Sequence, residues 1–137
     1  MNYKKSIEIR GNCFQEKMKQ TLLILVLVAG IISCTKDHEK PLMLPVAAEP
    51  SAKMHNDSGI SHYQSGRYKD ALLRFMQAYA ADKTAGEIYY NIALAYHQRG
   101  DEEKALEYFK SARKYANGNE KILASQLLGK YLKRENG

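Results

Sequence analysis

The side chains that most often bind metals or act as nucleophiles are few in this chain and far apart. Its 137 residues include two cysteines, Cys13 and Cys34, and four histidines. The histidines are His38, His55, His62 and His97. His55 and His62 are two helical turns apart and could share one face of a helix, but no carboxylate or third ligand is placed with them. The sequence therefore predicts no metal site.

Motifs for catalysis or cofactor binding are missing from the sequence. The chain has no glycine-rich phosphate loop, HExxH motif, nucleophile elbow or CxxC pair. The acidic run 101–103 is explained as the first turn of a helix, where carboxylates interact favourably with the helix dipole. We therefore expect a protein that uses no cofactor and is not an enzyme.

Cys34 follows a short apolar segment that is typical of export signals. Residues 22–32 are eleven apolar residues without a charge, and Lys17 and Lys19 precede them. A helix of that length reaches only about 16 Å, roughly half the thickness of a bilayer core. We therefore predict that residues 1–33 are a cleaved signal peptide, and the acidic residues upstream of Met18 favour Met18 as the true start.

Residues 31–34, IISC, resemble the lipobox of bacterial lipoproteins. The resemblance implies lipidation of Cys34 after cleavage, which anchors a mature protein to the membrane without spanning it. Because Thr35 rather than aspartate follows, it implies the outer membrane of a Gram-negative bacterium, on either its periplasmic or its surface-exposed side. The alternative is an ordinary secretory signal with an incidental cysteine. Cys13 lies upstream of the cut, so no disulfide is expected.

The net charge of +6 does not indicate nucleic-acid binding. Residues 1–33 supply +3 of this charge, with five basic and two acidic side chains. The other +3 is spread over the rest of the chain, where acidic and basic side chains alternate. We expect no nucleic-acid partner.

Residues 34–51 contain all three prolines of the chain, Pro41, Pro45 and Pro50. Proline disfavours helix around itself and favours extended backbone. We therefore predict a lipidated, extended tether over residues 34–51, which separates the membrane from a domain at residues 52–137.

From residue 52 the sequence repeats with a period of 34 residues. Residues 65–79, SGRYKDALLRFMQAY, align without a gap with residues 99–113, RGDEEKALEYFKSAR. The matched pairs include Gly66 with Gly100 and Phe75 with Phe109. Apolar residues recur at helical spacing in each copy, and each glycine marks a turn between two helices.

This period and pattern resemble the tetratricopeptide repeat. The resemblance implies an all-α fold of two antiparallel helix hairpins, repeats 52–85 and 86–119, closed by a capping helix at 120–134. The second copy fits the family pattern better than the first. In the first copy, His55, Ser58 and His62 replace larger apolar or aromatic residues.

Tetratricopeptide proteins bind peptides in a groove lined by the first helix of each repeat, and the resemblance places ten residues there. They are Asn56, Ile60, Tyr63, Gln64, Tyr90, Leu94, His97, Gln98, Leu128 and Tyr131. We expect Tyr63 and Tyr90 to face the groove outside the helical core, so that replacing both should weaken partner binding without loss of helix. For Leu94 and Leu128 the alternative is packing against a neighbouring helix.

Together these patterns predict a membrane-anchored module at the cell envelope that binds a protein or peptide partner, or serves as an assembly scaffold. The alternative is a structural lipoprotein that self-associates as a homo-oligomer. Two repeats and a cap form a thin core, which self-association would extend.

Overall fold

The computed structural model describes residues 39–135, and all regular secondary structure in that range is α-helical. The helices are α1 (Pro50–Gln64), α2 (Tyr68–Ala81), α3 (Gly86–Gln98), α4 (Glu102–Lys114), α5 (Glu120–Leu123) and α6 (Gln126–Glu135). This confirms the predicted all-α fold. The predicted signal peptide and Cys34 lie outside the described residues. Between residues 39 and 135 no helix is long and apolar enough to cross a membrane.

The two predicted turns are built in the same way. Gly66 and Gly100 have φ angles of +73° and +79°, a left-handed conformation that glycine adopts without steric cost. The N–H of each glycine donates to the carbonyl three residues earlier, at 2.9 Å and 3.0 Å. The N–H of the next residue donates to the carbonyl five residues earlier, at 2.9 Å and 3.1 Å. Both turns are therefore Schellman motifs, which end one helix and reverse the chain into the next.

These turns produce the predicted hairpins, α1 with α2 and α3 with α4, and α2 packs against α3 to join them. α6 packs against α4, and the short α5 contacts α3 and α4. Repeat-related side chains of α2 and α4 meet the preceding helix and are fully buried. They are Ala71, Phe75 and Ala78 in the first hairpin and Ala105, Phe109 and Ala112 in the second. Alanine at these positions lets the paired helices approach closely, and phenylalanine fills the space between them.

The predicted capping helix at 120–134 is interrupted. α5 ends at Leu123 and α6 begins at Gln126, with Ala124 and Ser125 between them. The Ser125 hydroxyl accepts a hydrogen bond from the N–H of Leu128 at 3.0 Å. Serine in that position caps a helix N-terminus, because it satisfies an N–H that has no partner within the helix. A cap inside the apolar pattern therefore divides the predicted single helix in two.

The predicted boundary between tether and domain, at residue 52, needs a similar correction. Residues 39–49 belong to the same compact unit as the helices. Pro50 is the first residue of α1, a position where its missing N–H costs nothing, and the Glu49 carboxylate caps the helix through the N–H of Ala52 at 2.6 Å. The described part of the predicted tether is therefore not a free spacer.

Candidate functional site

Residues 39–44, which we call the strap, form neither helix nor strand and lie against α1, α3 and the start of α6. The side chains of the strap differ in exposure. Leu44 is only 5% exposed, whereas Met43 is 65% exposed. We call the surface beneath the strap the groove; its residues are Asn56, Tyr63, Tyr90, Asn91 and Ser125.

The middle of the strap is held by two asparagines through its main chain. The Asn91 side chain accepts from the N–H of Leu42 at 2.7 Å and donates to the C=O of Leu42 at 2.7 Å. Asn56 donates to the same C=O at 3.0 Å, and Asn91 also donates to the Asn56 side-chain oxygen at 2.8 Å. Both asparagines are fully buried, so these bonds replace the water that an open groove would supply. This asparagine pair binds backbone, not a particular side chain.

One end of the strap is held by a carboxylate. The Glu39 side chain accepts hydrogen bonds from the Tyr90 hydroxyl, from the Ser125 hydroxyl at 2.5 Å and from the N–H of Leu127 at 2.8 Å. Leu127 lies in the first turn of α6, where free N–H groups and the helix dipole favour a negative charge. We call these three donors the carboxylate-binding site. Its existence depends on the break before α6, because Ser125 is both the helix cap and one of the donors.

Tyr63 and Tyr90 line the groove but are also part of the hydrophobic core. Burial raises the pKa of Tyr63 to about 12, and the Tyr63 hydroxyl lies beside Gln98. Burial, followed by the hydrogen bond to Glu39, raises the pKa of Tyr90 well above its usual range. The Tyr90 ring packs edge-on against Phe109, with the ring centroids 5.8 Å apart. The expectation that both rings lie outside the core is therefore wrong, and replacing both would disturb the fold.

The other predicted groove residues take different positions in the fold. Leu94 and Leu128 are buried core residues, in agreement with the alternative of helix packing. Tyr131 packs against Phe109, and its hydroxyl is 2.8 Å from the His97 ring nitrogen Nδ1. Ile60 is half-buried beside the core, Gln98 is half-buried, and Gln64 is exposed. Of the ten, the structure brings Asn56, Tyr63 and Tyr90 together around the strap.

Sequence reasoning missed Asn91, Ser125 and the strap itself. Asn91 is the single polar residue in the apolar run from Ile88 to Ala95, and a buried amide in such a run needs a partner. Ser125 interrupts an apolar helical pattern, which is a signal for a helix cap. Both signals were present in the sequence, but neither one alone identifies the strap as the partner.

Comparison with known proteins bears on the segment that carries the groove. The sequence model of the tetratricopeptide repeat family matches residues 56–119. We call residues 56–119 the tetratricopeptide segment, because they match this model. This match confirms the resemblance to the tetratricopeptide repeat that the 34-residue period indicates. Such repeats suggest a role in protein–protein interaction or assembly, and proteins of this family are generally non-catalytic scaffolds.

A curated relative extends the same comparison. The chain is 32% identical over 74 residues to the photosystem I assembly protein Ycf3 of Prochlorococcus marinus. This similarity covers 51% of the chain and 43% of the relative, so the chain spans less than half of that protein's length.

A second surface feature lies away from the strap, between α4 and α6. It is a shallow apolar cleft of about 460 Å³ with two basic side chains at its rim. The lining residues are Arg113, Leu123, Leu128, Gly129, Leu132 and Lys133. Leu123 is 51% exposed beside it. Among residues 39–135 there is no cluster of three or more side chains that could hold a metal ion.

Proposed function

We propose that this protein is an interaction module that binds an extended peptide of a partner protein in the groove. The observation that carries the proposal is the asparagine pair, which binds the N–H and C=O groups of Leu42 from fully buried positions. Side-chain amides in that arrangement bind main chain, and adjoining sites for side chains then supply specificity. The tetratricopeptide segment supports the proposal, because stacked hairpins of this kind present binding surfaces.

A site-specific crosslinking experiment tests the proposal. A photoreactive amino acid is introduced into the full chain at Gln98, beside the Tyr63 hydroxyl, and as a control at Leu73, on the exposed side of α2. After irradiation in the native cells, we expect a discrete protein adduct from position 98 and at least tenfold less from position 73. Equal adducts, or adducts from position 73 alone, would place partner binding outside the groove.

We further propose that the module works at the cell envelope, attached through lipid on Cys34. The supports are the eleven-residue apolar run and the lipobox-like residues 31–34. Thr35 after the cysteine favours the outer membrane over the inner. The Cys34→Ala variant is expected to remain uncleaved and to take up no labelled fatty acid. Equal labelling of the variant and the unmodified chain would contradict lipidation at this position.

Self-association is the second candidate function, and the cleft between α4 and α6 favours it. Leu123, which lines this cleft and is 51% exposed, offers an apolar side chain there that a second copy could cover. Sedimentation of the full chain in detergent tests this: a dimer that Leu123→Glu dissociates supports self-association. A monomer at all concentrations excludes it.

A further inference from the structure

We propose that the strap is an intramolecular ligand of the groove, and that a partner peptide of the same chemistry displaces it. Such a peptide is extended and carries a carboxylate three residues before the residue whose main chain binds Asn91. An aliphatic side chain follows two residues later. In this chain the three positions are Glu39, Leu42 and Leu44. The inference rests on the proposed function, because it names the ligand class of the same groove.

The first support is the kind of contact that holds the strap. Asn91 and Asn56 bind the main chain of Leu42, so these hydrogen bonds do not depend on the side chain at that position. Hydrogen bonds of this kind contribute little net free energy, because water replaces them when the strap leaves. The strap contributes one side chain, Leu44, to the buried core, and Leu42 packs against that core. Its release therefore exposes two apolar side chains and exchanges the polar contacts for water, while the helices keep their contacts with one another.

The second support is the carboxylate-binding site, which distinguishes a carboxylate from a neutral amide. Its donors are two hydroxyls and one N–H, all aimed at Glu39. A carboxylate can accept from all three. A glutamine amide has a single acceptor oxygen, so the two hydroxyls would have to rotate and accept from its NH₂ group instead. Hydrogen bonds to an ionised acceptor are also stronger than neutral ones. The site therefore favours an acidic side chain in a peptide that occupies the groove.

The third support is the hinge between the strap and α1. Residues 45–48 form a turn closed by the Ala48 N–H and the Pro45 carbonyl at 3.0 Å, and Val46 at its tip is 97% exposed. The cap of α1 is provided by Glu49, which lies beyond this turn and does not depend on the strap. The strap can therefore swing away at residues 45–48 while α1 keeps its first turn.

An attached ligand of this kind competes strongly even when its own affinity is weak. A short flexible linker gives an effective concentration on the order of 1 mM. If the free strap bound with a Kd of about 10 µM, the ratio of strap-occupied to empty groove would be roughly 100. A partner peptide would then bind the intact chain about 100-fold more weakly than it binds the opened groove.

Peptide binding to the full chain measures this competition. The probe is a fluorescent synthetic peptide of residues 37–46, DHEKPLMLPV, and binding is followed by fluorescence anisotropy. We expect the Glu39→Gln chain to bind the probe at least tenfold more tightly than the unmodified chain. The matched control is Lys40→Gln, an exposed change in the same segment that should leave binding as in the unmodified chain. A probe peptide that itself carries Glu39→Gln should bind the opened chain at least tenfold more weakly.

A second measurement applies if the strap stays in place after that single change. A protease site is inserted between Val46 and Ala47 of the full chain, and the cut protein is diluted. Release of the fragment with retained circular dichroism supports an intramolecular ligand, and the labelled peptide should then rebind. Loss of helix on cutting, together with equal probe binding by the unmodified and Glu39→Gln chains, would overturn the inference and make the strap part of the core.

The two proposals fail in different ways. If the crosslink at position 98 forms in cells and is no stronger in the Glu39→Gln chain, the interaction module stands and the competing strap is rejected. If no crosslink forms in either chain while the labelled peptide still binds, the strap site is real and the proposed partner is rejected.

Discussion

The two hairpins share a repeat but use their first helices differently. α1 buries four residues in a single stripe: Ala52, Asn56, Gly59 and Tyr63. α3 buries every residue from Ile88 to Ala95. The second helices, in contrast, bury the same repeat-related alanines and phenylalanine. Among the helices between residues 39 and 135, α3 is covered by α2 and α4, with the strap against it as well, whereas α1 packs mainly against α2.

This difference explains why the first copy departs from the family pattern. Large apolar residues are required only where a helix is covered on several sides. His55 and Ser58 are half-buried in α1, whereas the repeat-related Tyr89 and Ile92 are buried in α3. The position of a helix in the stack, and not the repeat alone, therefore determines which residues are tolerated in it. Matched substitutions in the two hairpins test that conclusion.

The largest expected effect on stability comes from the repeat-related phenylalanines Phe75 and Phe109. Replacing a buried phenylalanine with alanine costs about 3–5 kcal/mol of unfolding free energy. We expect Phe109→Ala to reach the upper end, because the rings of Tyr90 and Tyr131 pack directly on it and cannot close the cavity. Phe75→Ala should cost less, because the terminal α1 is free to move inward. Urea unfolding of both variants measures the difference.

A larger loss for Phe75→Ala than for Phe109→Ala would contradict the view that the first hairpin is the more adaptable one. If either alanine variant fails to fold, the two Phe→Leu variants give the same comparison with smaller cavities.

The next effect concerns close packing within the first hairpin. A Cβ added at Gly59 would lie 2.5 Å from the Phe75 ring, so Gly59→Ala should overpack the hairpin. Overpacking costs about 1–3 kcal/mol, offset by about 1 kcal/mol of improved helix propensity. The control is Gly129→Ala in α6, where nothing lies within 4 Å of the added carbon, and thermal melts should show it stabilised. If both variants are stabilised, Gly59 is not required for the approach of α1 to α2.

A smaller effect should come from transferring a helix cap. Asp101 caps α4 through the N–H of Lys104 at 3.3 Å, whereas Arg67, with nearly the same backbone angles, gives α2 no side-chain cap. Arg67→Asp should therefore stabilise the first hairpin by about 1 kcal/mol, and Asp101→Ala should destabilise the second by about as much. Chemical denaturation measures both, with Arg67→Ala to separate the gain of a cap from the loss of arginine. Stabilisation by Arg67→Ala equal to that by Arg67→Asp would rule out capping as the cause.

The smallest effect is a pH dependence carried by α1. Because burial raises the pKa of Tyr63 from 10.0 to about 12, its neutral form is favoured in the folded protein. The stability it contributes is complete below pH 10 and is lost as the pH rises to about 12. Tyr63→Phe should flatten the fall of the melting temperature in this window, and the absorbance titration should lose one late-ionising tyrosine. An unchanged titration would mean that Tyr63 ionises as an exposed residue.

The local features of the fold could be predicted from the sequence, and the features that join distant residues could not. Gly66 and Gly100 predict their turns because a glycine ends a helix through its own backbone freedom. Leu42 and Asn91 meet across 49 residues, and no local pattern specifies that contact. The prolines predict that the strap is not helical, but a non-helical segment can equally be a free tether or a bound one.

The candidate site, too, could be predicted only in part. Asn56 and Tyr90 lie under the strap at positions that the repeat register assigns to the groove. Leu94 and Leu128 share that register but are buried, because α3 is surrounded and α6 folds onto α4. The break at Ser125 was missed because apolar residues continue at helical spacing through it, and this pattern outweighed the capping signal.

The position of Glu39 at the outer end of the strap has a mechanical consequence. A pull transmitted along the preceding chain reaches the hydrogen bonds of the Glu39 carboxylate first, those of Leu42 next and the Leu44 side chain last. Bonds that are loaded in succession break at lower force than bonds loaded together, because each set resists alone. If the protein is held at the membrane through Cys34, as proposed, tension between anchor and domain peels the strap from the α6 end and uncovers the groove.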